Sequence, residues 1–157
     1  MKSIIKIAQK QFDQVDAKIT GWMKKAGLPL LRYSLAVIFI WFGILKPLGV
    51  SPAQELVAHT VYWFSPAWFV PFLGWWEVVI GLCLLYKPLI RIGILLLMVQ
   101  MVGTFLPFLI LPEVVFGAKP YALTTEGQYI VKNLILISAA IVIGSHVRDS
   151  KKQDRKK

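Results

Sequence analysis

Four long apolar runs constrain this chain more than any other feature of its sequence. They cover about residues 30–48, 68–86, 89–111 and 128–146. Crossing about 30 Å of hydrocarbon takes roughly 20 residues of α-helix, so each run is long enough to span a bilayer. Only Lys87 and Pro88 separate the second run from the third, which predicts an antiparallel hairpin. The sequence therefore predicts an all-α fold, a four-helix transmembrane bundle.

Composition supports lipid as the solvent of these runs. Hydrophobic residues make up 57% of the 157 residues and the mean hydropathy is +0.63, whereas soluble globular proteins are about 45–50% apolar. The net charge of +10 comes from 18 lysines and arginines against 8 acidic residues. Most of these cations stand before the first run or after the last, not among aromatics as in a nucleic-acid-binding face. We therefore expect a lipid bilayer as partner and no nucleic acid.

The placement of the cations also predicts the topology. Lysine and arginine favour the cytoplasmic side of a membrane. Both ends of the chain are basic, and the second turn carries Lys87 and Arg91, whereas the loops at about 49–67 and 112–127 contain only Lys119 as a cation. The sequence therefore predicts both termini in the cytoplasm and the first and third loops outside.

Charge divides the chain into three regions: a basic segment at residues 1–28, the bundle at 29–147 and a basic tail at 148–157. In the first region apolar residues recur at steps of three or four, as on one helical face: Ile4, Ala8, Phe12, Val15, Ile19 and Trp22. We expect an amphipathic interfacial helix on the cytoplasmic leaflet, with six lysines at the membrane surface: Lys2, Lys6, Lys10, Lys18, Lys24 and Lys25. A partly disordered basic tail is the alternative interpretation.

The numbers and positions of the cysteine and histidine residues limit which redox and metal chemistry the chain can carry out. Cys83 is the only cysteine, so no disulfide framework and no CxxC motif exists. Its place inside an apolar run predicts a small hydrophobe packed between helices. His59 has no second histidine at ligand spacing, so no metal site is predicted. No cofactor is demonstrable from these residues, and any redox role needs a partner or a bound organic cofactor.

A set of polar residues lies inside the apolar runs, where such groups are costly and usually face the bundle interior. With about 1.5 Å of rise per residue, Glu77 lies near the bilayer centre, roughly 14 Å down its span. An isolated carboxylate there would be protonated or would need a cation. Lys46 and Lys132 reach down from the same side, so we predict that Glu77 pairs with one or both. The candidate ligand-binding cluster comprises Lys46, Glu77, Gln100, Thr104, Lys132 and Asn133.

Two interpretations of this cluster stay open. Polar side chains can hold helices together in lipid, assisted by small residues that allow close packing, here Gly74, Gly81, Gly93, Gly103, Gly144 and the run Ser138, Ala139 and Ala140. Alternatively, two lysines with one deep carboxylate form a net positive, hydrogen-bond-donating pocket that suits a quinone carbonyl, an oxyanion or a polar headgroup.

Aromatic residues crowd the start of the second span: Tyr62, Trp63, Trp68, Trp75 and Trp76. Tryptophan and tyrosine are enriched at both membrane–water interfaces, where they form aromatic belts. The same residues, beside Pro66 and Pro71, would also suit the mouth of an apolar pocket for a flat ligand. Belt and pocket both remain open as interpretations.

Four motifs follow one another in an order that is familiar from a group of small membrane proteins. They are RYSLAVIFIWFGILKP, LGWWEVVIGLCLL, TFLPFLILPE and EGQYIVKNLILISAA, and they span about residues 30–146. The matching positions are Arg32, Gly43, Lys46, Gly74, Glu77, Gly81, Tyr129, Lys132 and Asn133. Through these residues the chain resembles DoxX-like small integral membrane proteins, and the YkgB-like group in particular.

The resemblance implies a four-helix bundle in a bacterial inner membrane. DoxX members are associated with membrane oxidoreductase complexes that handle thiol or radical stress, and DoxD-like members resemble quinone-reducing subunits. What it implies for this chain is therefore a quinone as cofactor and a membrane oxidoreductase as partner. The lack of a cysteine pair speaks against direct thiol chemistry.

Three functional hypotheses follow from the sequence. The chain is an accessory or scaffold subunit of a membrane redox or stress-response system whose polar pocket binds a quinone or a small anion. Alternatively it is a small-solute or ion permease acting as a homo-oligomer, because one four-helix bundle is thin for a pore. The minimal hypothesis is a non-catalytic scaffold with structural polar residues. Whether the chain is an enzyme stays open.

Overall fold

The computed structural model describes the backbone of residues 2–117, 119 and 121–154, and the side chains in these ranges apart from 2–8, 10 and 148–154. This part of the chain contains α1 (Lys2–Leu45), α2 (Gln54–Thr60), α3 (Pro66–Leu85), α4 (Ile90–Phe105), α5 (Pro107–Ile110), α6 (Pro112–Val115), α7 (Thr125–Val131) and α8 (Asn133–Asp154). A 3₁₀ turn at Lys87–Leu89 joins α3 to α4. The described residues form no strand beyond an isolated bridge between Phe116 and Leu123. The predicted all-α fold is confirmed.

Four stretches of the described chain are long and apolar enough to cross a membrane. They are Gln11–Leu45, Pro66–Leu85, Lys87–Ile110 and Thr125–Val147. Each overlaps one of the four predicted spans, and the second and third follow one another through the 3₁₀ turn, as the predicted hairpin requires. The prediction of four membrane-length helices is confirmed.

The first helix is longer than its predicted span. α1 continues without interruption through Pro29, so the predicted boundary at residue 28 is not a helix end. Pro29 removes one backbone hydrogen bond from the helix, which makes it the position where α1 bends most readily. The described side chains of residues 11–19 are exposed, including Lys18. The side chains of Lys2, Lys6 and Lys10 lie outside the described residues.

The third and fourth spans are each interrupted near one end. Pro107 has no N–H to donate to the Gly103 carbonyl, which instead accepts from Leu106 N at 3.2 Å, so α4 ends and α5 begins there. In the fourth span, α7 starts at the N-cap Thr124, whose Oγ1 accepts from Gly127 N at 3.1 Å. A turn at Lys132 then separates α7 from α8.

The helices α1, α3, α4 and α8 pack as a ring in this order, each antiparallel to its neighbours. Their buried core comprises Leu35, Ala36, Phe39, Ile80, Leu84, Ile90, Leu97, Met101, Ala139, Ala140 and Ile143. We call the end of the bundle with the 3₁₀ turn and both chain termini the terminal end. The end with the connections 46–65 and 106–124 is the loop end. The core fills the bundle from the terminal end to about its middle.

Glycines allow a close backbone contact between α1 and α3. A Cβ built on Gly43 would lie 2.7 Å from Gly74 O, and one built on Gly74 would lie 2.5 Å from Gly43 O. Any side chain at either position would therefore push the two backbones apart. Gly81 and Gly93 are similarly close to α1 and α3 respectively, as predicted. The same prediction is wrong for Gly103, where an added Cβ would meet no atom within 4 Å.

Candidate functional site: a polar cluster beside an apolar cavity

Lys46, the first residue after α1, forms a buried ion pair with Glu77 of α3. Lys46 Nζ donates to Glu77 Oε2 at 2.5 Å and lies 3.5 Å from the Phe42 carbonyl oxygen. The two residues are only 7% and 8% exposed. Burying two charges requires close mutual neutralisation and further hydrogen bonds. Glu77 thus has one of the two predicted cations as its partner.

The Gly43–Gly74 contact explains why Lys46 and Glu77 lie close enough to form an ion pair. Lys46 follows Gly43 by three residues and Glu77 follows Gly74 by three, so each charged residue stands about one helical turn from its glycine. A Cβ built on Gly43 would lie 3.0 Å from Glu77 Cβ, and one built on Gly74 would lie 2.8 Å from Lys46 Cβ. Backbone contact at the glycines therefore brings the two charges within hydrogen-bonding distance.

Gln100 of α4 extends the ion pair across the bundle. Its Nε2 donates to Glu77 Oε1 at 2.6 Å, so each carboxylate oxygen accepts one hydrogen bond. Gln100 Oε1 is buried and has no hydrogen-bond partner among the described residues. Thr104 donates to the Gln100 main-chain oxygen at 3.1 Å. The cluster thus links three of the four ring helices through one carboxylate.

Lys132 and Asn133 lie apart from this network. Lys132 is exposed, and no described acceptor lies within hydrogen-bonding distance of its ammonium group. Asn133 Nδ2 donates to the Tyr129 carbonyl oxygen at 3.3 Å, within the fourth span itself. The predicted pairing of Glu77 therefore involves Lys46 and not Lys132 in this structure.

All six residues of the predicted cluster nevertheless line one cavity. Its volume is about 640 Å³, and it lies between the polar network and the loop end of the bundle. Most of the lining is apolar, from α1, α2, α3, α4 and the fourth span. Ligand sites typically have volumes of about 300–1,000 Å³, apolar walls and a few placed polar groups. The cavity has these properties.

The aromatic residues at the start of the second span divide into two groups. Trp76 lines the cavity, together with Phe72 one turn and Phe69 two turns earlier on α3. The side chains predicted alongside Trp76 are exposed and do not line it: Tyr62, Trp63, Trp68 and Trp75. The ring of Phe72 lies 6.1 Å from that of Trp76, and the ring of Trp68 lies 6.0 Å from that of Phe72. The exposed aromatic residues and those that line the cavity are thus joined in one aromatic cluster.

Sequence reasoning missed two features of the cavity wall. The connection after α1 folds into α2, and its Leu56, Val57 and Thr60 line the cavity at the loop end. Thr60 is buried and donates to the Leu56 carbonyl oxygen at 2.6 Å. Tyr129 also lines the cavity. The signal for α2 was the spacing of Leu56, Val57 and Thr60, which places them on one helical face.

Other candidate chemistry is remote from the cavity or absent from the described residues. Arg32 lies toward the terminal end, where its guanidinium stacks 4.6 Å from the ring centre of Tyr33. Cys83 is buried beside Gly93, as its predicted packing role requires. No group of three or more histidine, cysteine, aspartate or glutamate side chains in the described part of the chain is placed to hold a metal ion.

Comparison with models of protein families, with curated proteins and with solved structures finds no match for this chain. Its functional assignment therefore depends on the geometry of the cavity.

Proposed function

We propose that this protein is a membrane-embedded binding subunit of a redox or stress-response system, and that its cavity binds a quinone. The observation that carries the proposal is the position of the Lys46–Glu77–Gln100 network at one wall of a largely apolar cavity of about 640 Å³. An apolar site with a small set of placed polar groups suits a flat, lipophilic ring that carries hydrogen-bond acceptors.

Charge and hydrogen bonding favour an acceptor as the head of the ligand. Two ammonium groups, Lys46 and Lys132, and one carboxylate, Glu77, leave one positive charge in excess at the cavity. Lysine ammonium groups donate hydrogen bonds and accept none. Because Glu77 already neutralises Lys46, Lys132 is the cation available to a ligand. A quinone carbonyl accepts such a bond and carries no charge of its own to be desolvated.

Aromatic side chains support a ring-shaped ligand. Phe69, Phe72 and Trp76 follow one face of α3 and reach the cavity, and Trp76 directly precedes Glu77 in the chain. Aromatic rings prefer offset or edge-to-face contacts with centroids about 4.5–7 Å apart. A quinone ring with a carbonyl directed toward Lys132 would lie against this wall.

A role as a subunit, with electron transfer completed by a partner, follows from the residues the chain offers. It contains one cysteine, Cys83, which is buried in the core region and remote from the cavity lining. The resemblance to DoxX-like and YkgB-like proteins points to the same role. Four residues that carry that resemblance, Gly43, Lys46, Gly74 and Glu77, meet at a single helix crossing.

The proposal places the protein in a bacterial inner membrane with both termini in the cytoplasm. Support comes from the cations at the terminal end, Lys24, Lys25, Lys87 and Arg91, against Lys119 at the loop end. The cavity then lies in the outer half of the membrane. For the basic first segment to lie on the cytoplasmic leaflet, α1, which is continuous through Pro29 in this structure, has to bend there.

Binding is tested with the full-length protein in lipid nanodiscs. A long-chain quinone is titrated into wild type, Lys132→Met and the control Lys119→Met, which removes an exposed lysine outside the cavity. We expect wild type and Lys119→Met to bind with equal affinity and Lys132→Met to bind roughly tenfold more weakly, the loss of about one charged hydrogen bond. Equal binding by all three, or none by wild type, would contradict the proposal. Glu77-dependent ion flux in liposomes would instead support a permease.

A further inference from the structure

The cavity is covered at both ends of the bundle. Toward the terminal end the buried core follows directly, with Leu97 of α4 and Ala140 of α8 fully buried. Toward the loop end, α2 lies across the cavity and contributes Leu56, Val57 and Thr60 to its wall. α2 packs on α3 and α5. A ligand that arrived along the bundle axis would therefore have to displace packed residues.

One side of the cavity is less filled, along α4. Val99 and Gly103 both line the cavity and both are exposed. They are four residues apart and so lie on one helical face. A Cβ built on Gly103 would meet no neighbouring atom within 4 Å. The absence of a side chain at Gly103 thus leaves open space, whereas Gly43, Gly74, Gly81 and Gly93 each approach the backbone of a neighbouring helix.

The depth of this opening follows from a hydrogen bond. Gln100, the residue after Val99, donates to Glu77, so Val99 lies at the level of Glu77 in the bundle. Glu77 is 11 residues from the start of α3 at Pro66, which corresponds to about 16 Å of helix. A membrane core is about 30 Å thick, so the opening faces hydrocarbon and not water.

The half of the fourth span nearest the loop end is also weakly packed where it forms the side wall of the cavity. α7 packs mainly on α6 and α8, and Tyr129 and Lys132, which line the cavity from this span, are both exposed. The turn at Lys132 separates this half from the well-packed part of α8, which carries Ala139 and Ala140.

We propose that the ligand enters the cavity sideways from the bilayer, past Val99 and Gly103. The ligand is then a lipid-soluble molecule with a polar head and an apolar tail. The head lies at Lys132, beside Lys46 and Gln100, and the tail leaves through the side opening into the hydrocarbon. This inference rests on the proposed function, and it selects a membrane-dissolved quinone over a small anion from the aqueous phase.

The chain offers matched pairs for a test. Val99 lines the cavity, whereas Val102 is exposed on the same helix and does not line it. At the loop end, Ala53 lines the cavity, whereas Ala58 in the same connection does not. The two members of each pair are the same residue type and are similarly exposed. A tryptophan at either member should therefore change the free energy of unfolding by a similar amount, whereas only the tryptophan at the lining member obstructs the cavity.

The experiment measures how fast a long-chain quinone, delivered in lipid vesicles, associates with the protein in proteoliposomes. We expect Val99→Trp and Gly103→Phe to lower the association rate roughly tenfold, within the range that mutations produce in association rates. Val102→Trp and Ala58→Trp should leave it unchanged, and Ala53→Trp should lower it less than Val99→Trp does. A ring-matched quinone without a tail should bind more weakly to wild type, because it loses the apolar contacts of the opening.

Two results would overturn the inference while leaving the proposed function intact. One is a rate lowered by Ala53→Trp and not by Val99→Trp, which would place the entrance at the aqueous loop end. The other is equal binding of the tailed and the tail-less quinone. Failure of wild type to bind either quinone would instead reject the proposed function, and with it this inference.

Discussion

Lys46 and Glu77 meet beside the point where Gly43 and Gly74 bring the backbones of α1 and α3 into contact. The ion pair and the glycine contact are therefore one structural unit. Because Gly43 and Gly74 have no side chains, the helices approach closely enough for Lys46 and Glu77 to meet. Gln100 joins this unit to α4. The unit forms one wall of the cavity, so it has a part both in the stability of the bundle and in any ligand binding.

Removing one partner of the ion pair should destabilise the bundle strongly. Glu77→Gln or Lys46→Met alone should each lower the free energy of unfolding by about 3–5 kcal/mol, because an uncompensated charge or donor is left buried. The double variant should lose less than the sum of the two, since it removes both charges. Thermal unfolding of the three variants and wild type in one detergent measures the coupling.

Lys132 provides the control for this double-mutant comparison of Lys46 and Glu77. It forms no ion pair with Glu77, so Lys132→Met should change the free energy of unfolding by no more than about 0.5 kcal/mol. Combined with Glu77→Gln, its effect should be additive. A coupling with Lys132 as large as that with Lys46 would show that the bundle pairs Glu77 with the fourth span in solution.

The glycines of the bundle should respond differently to the same small change. Gly43→Ala and Gly74→Ala should each destabilise the protein by about 1–3 kcal/mol, because the added methyl group meets backbone atoms of the other helix. Gly103→Ala should be neutral or stabilising by up to about 1 kcal/mol, since alanine favours helix and meets nothing. Melting temperatures in a single detergent distinguish the two classes, and a destabilising Gly103→Ala would argue against open space at α4.

The first segment should bind membranes through its apolar face. Phe12, Val15, Ile19 and Trp22 are exposed along one side of α1. A polarity-sensitive dye attached at Phe12→Cys in a Cys83→Ala background should shift to the blue in liposomes with anionic lipid. The shift should shrink in neutral liposomes, or after Lys18, Lys24 and Lys25 are changed to Gln, because each cation near an anionic surface contributes about 1 kcal/mol. An emission independent of lipid charge would indicate that the segment lies away from the membrane.

Topology is accessible by labelling single cysteines in the same Cys83→Ala background. Glu55→Cys in the first loop should react with a membrane-impermeant thiol reagent added to intact cells, because that loop is expected outside. Lys24→Cys should react only after the cells are opened. The reverse pattern would place the termini outside and the cavity in the cytoplasmic half of the membrane.

Much of the fold was predictable because hydrophobicity and helix length are local properties. Runs of about 20 apolar residues are enough to identify spans, and α3 and α6 each begin at a proline, Pro66 and Pro112 respectively. The interruption at Leu106 and the continuation of α1 through Pro29 were not predicted. Both depend on whether the neighbouring backbone can tolerate the missing N–H of a proline. The spacing of apolar residues along the sequence contains no information about this.

The sequence predicted which residues belong to the candidate site, but not which of them contact one another. Depth along each span placed Lys46, Glu77 and Lys132 in one half of the membrane, and all three line the cavity. Depth does not say how each helix is rotated or how closely it packs. α2 and its Thr60 were missed because a short connecting helix has too few residues for a clear pattern.

The sequence by itself determined that this chain forms membrane-length helices and that a carboxylate lies deep within one of them, because both follow from the spacing of residues along a single helix. Only the tertiary structure decided that Glu77 pairs with Lys46 and leaves Lys132 without an ion-pair partner among the described residues. That choice depends on the contact of Gly43 with Gly74, residues far apart in the chain. It also decided that Gly103 borders open space, since the room beside a glycine is set by the neighbouring helices and not by the glycine.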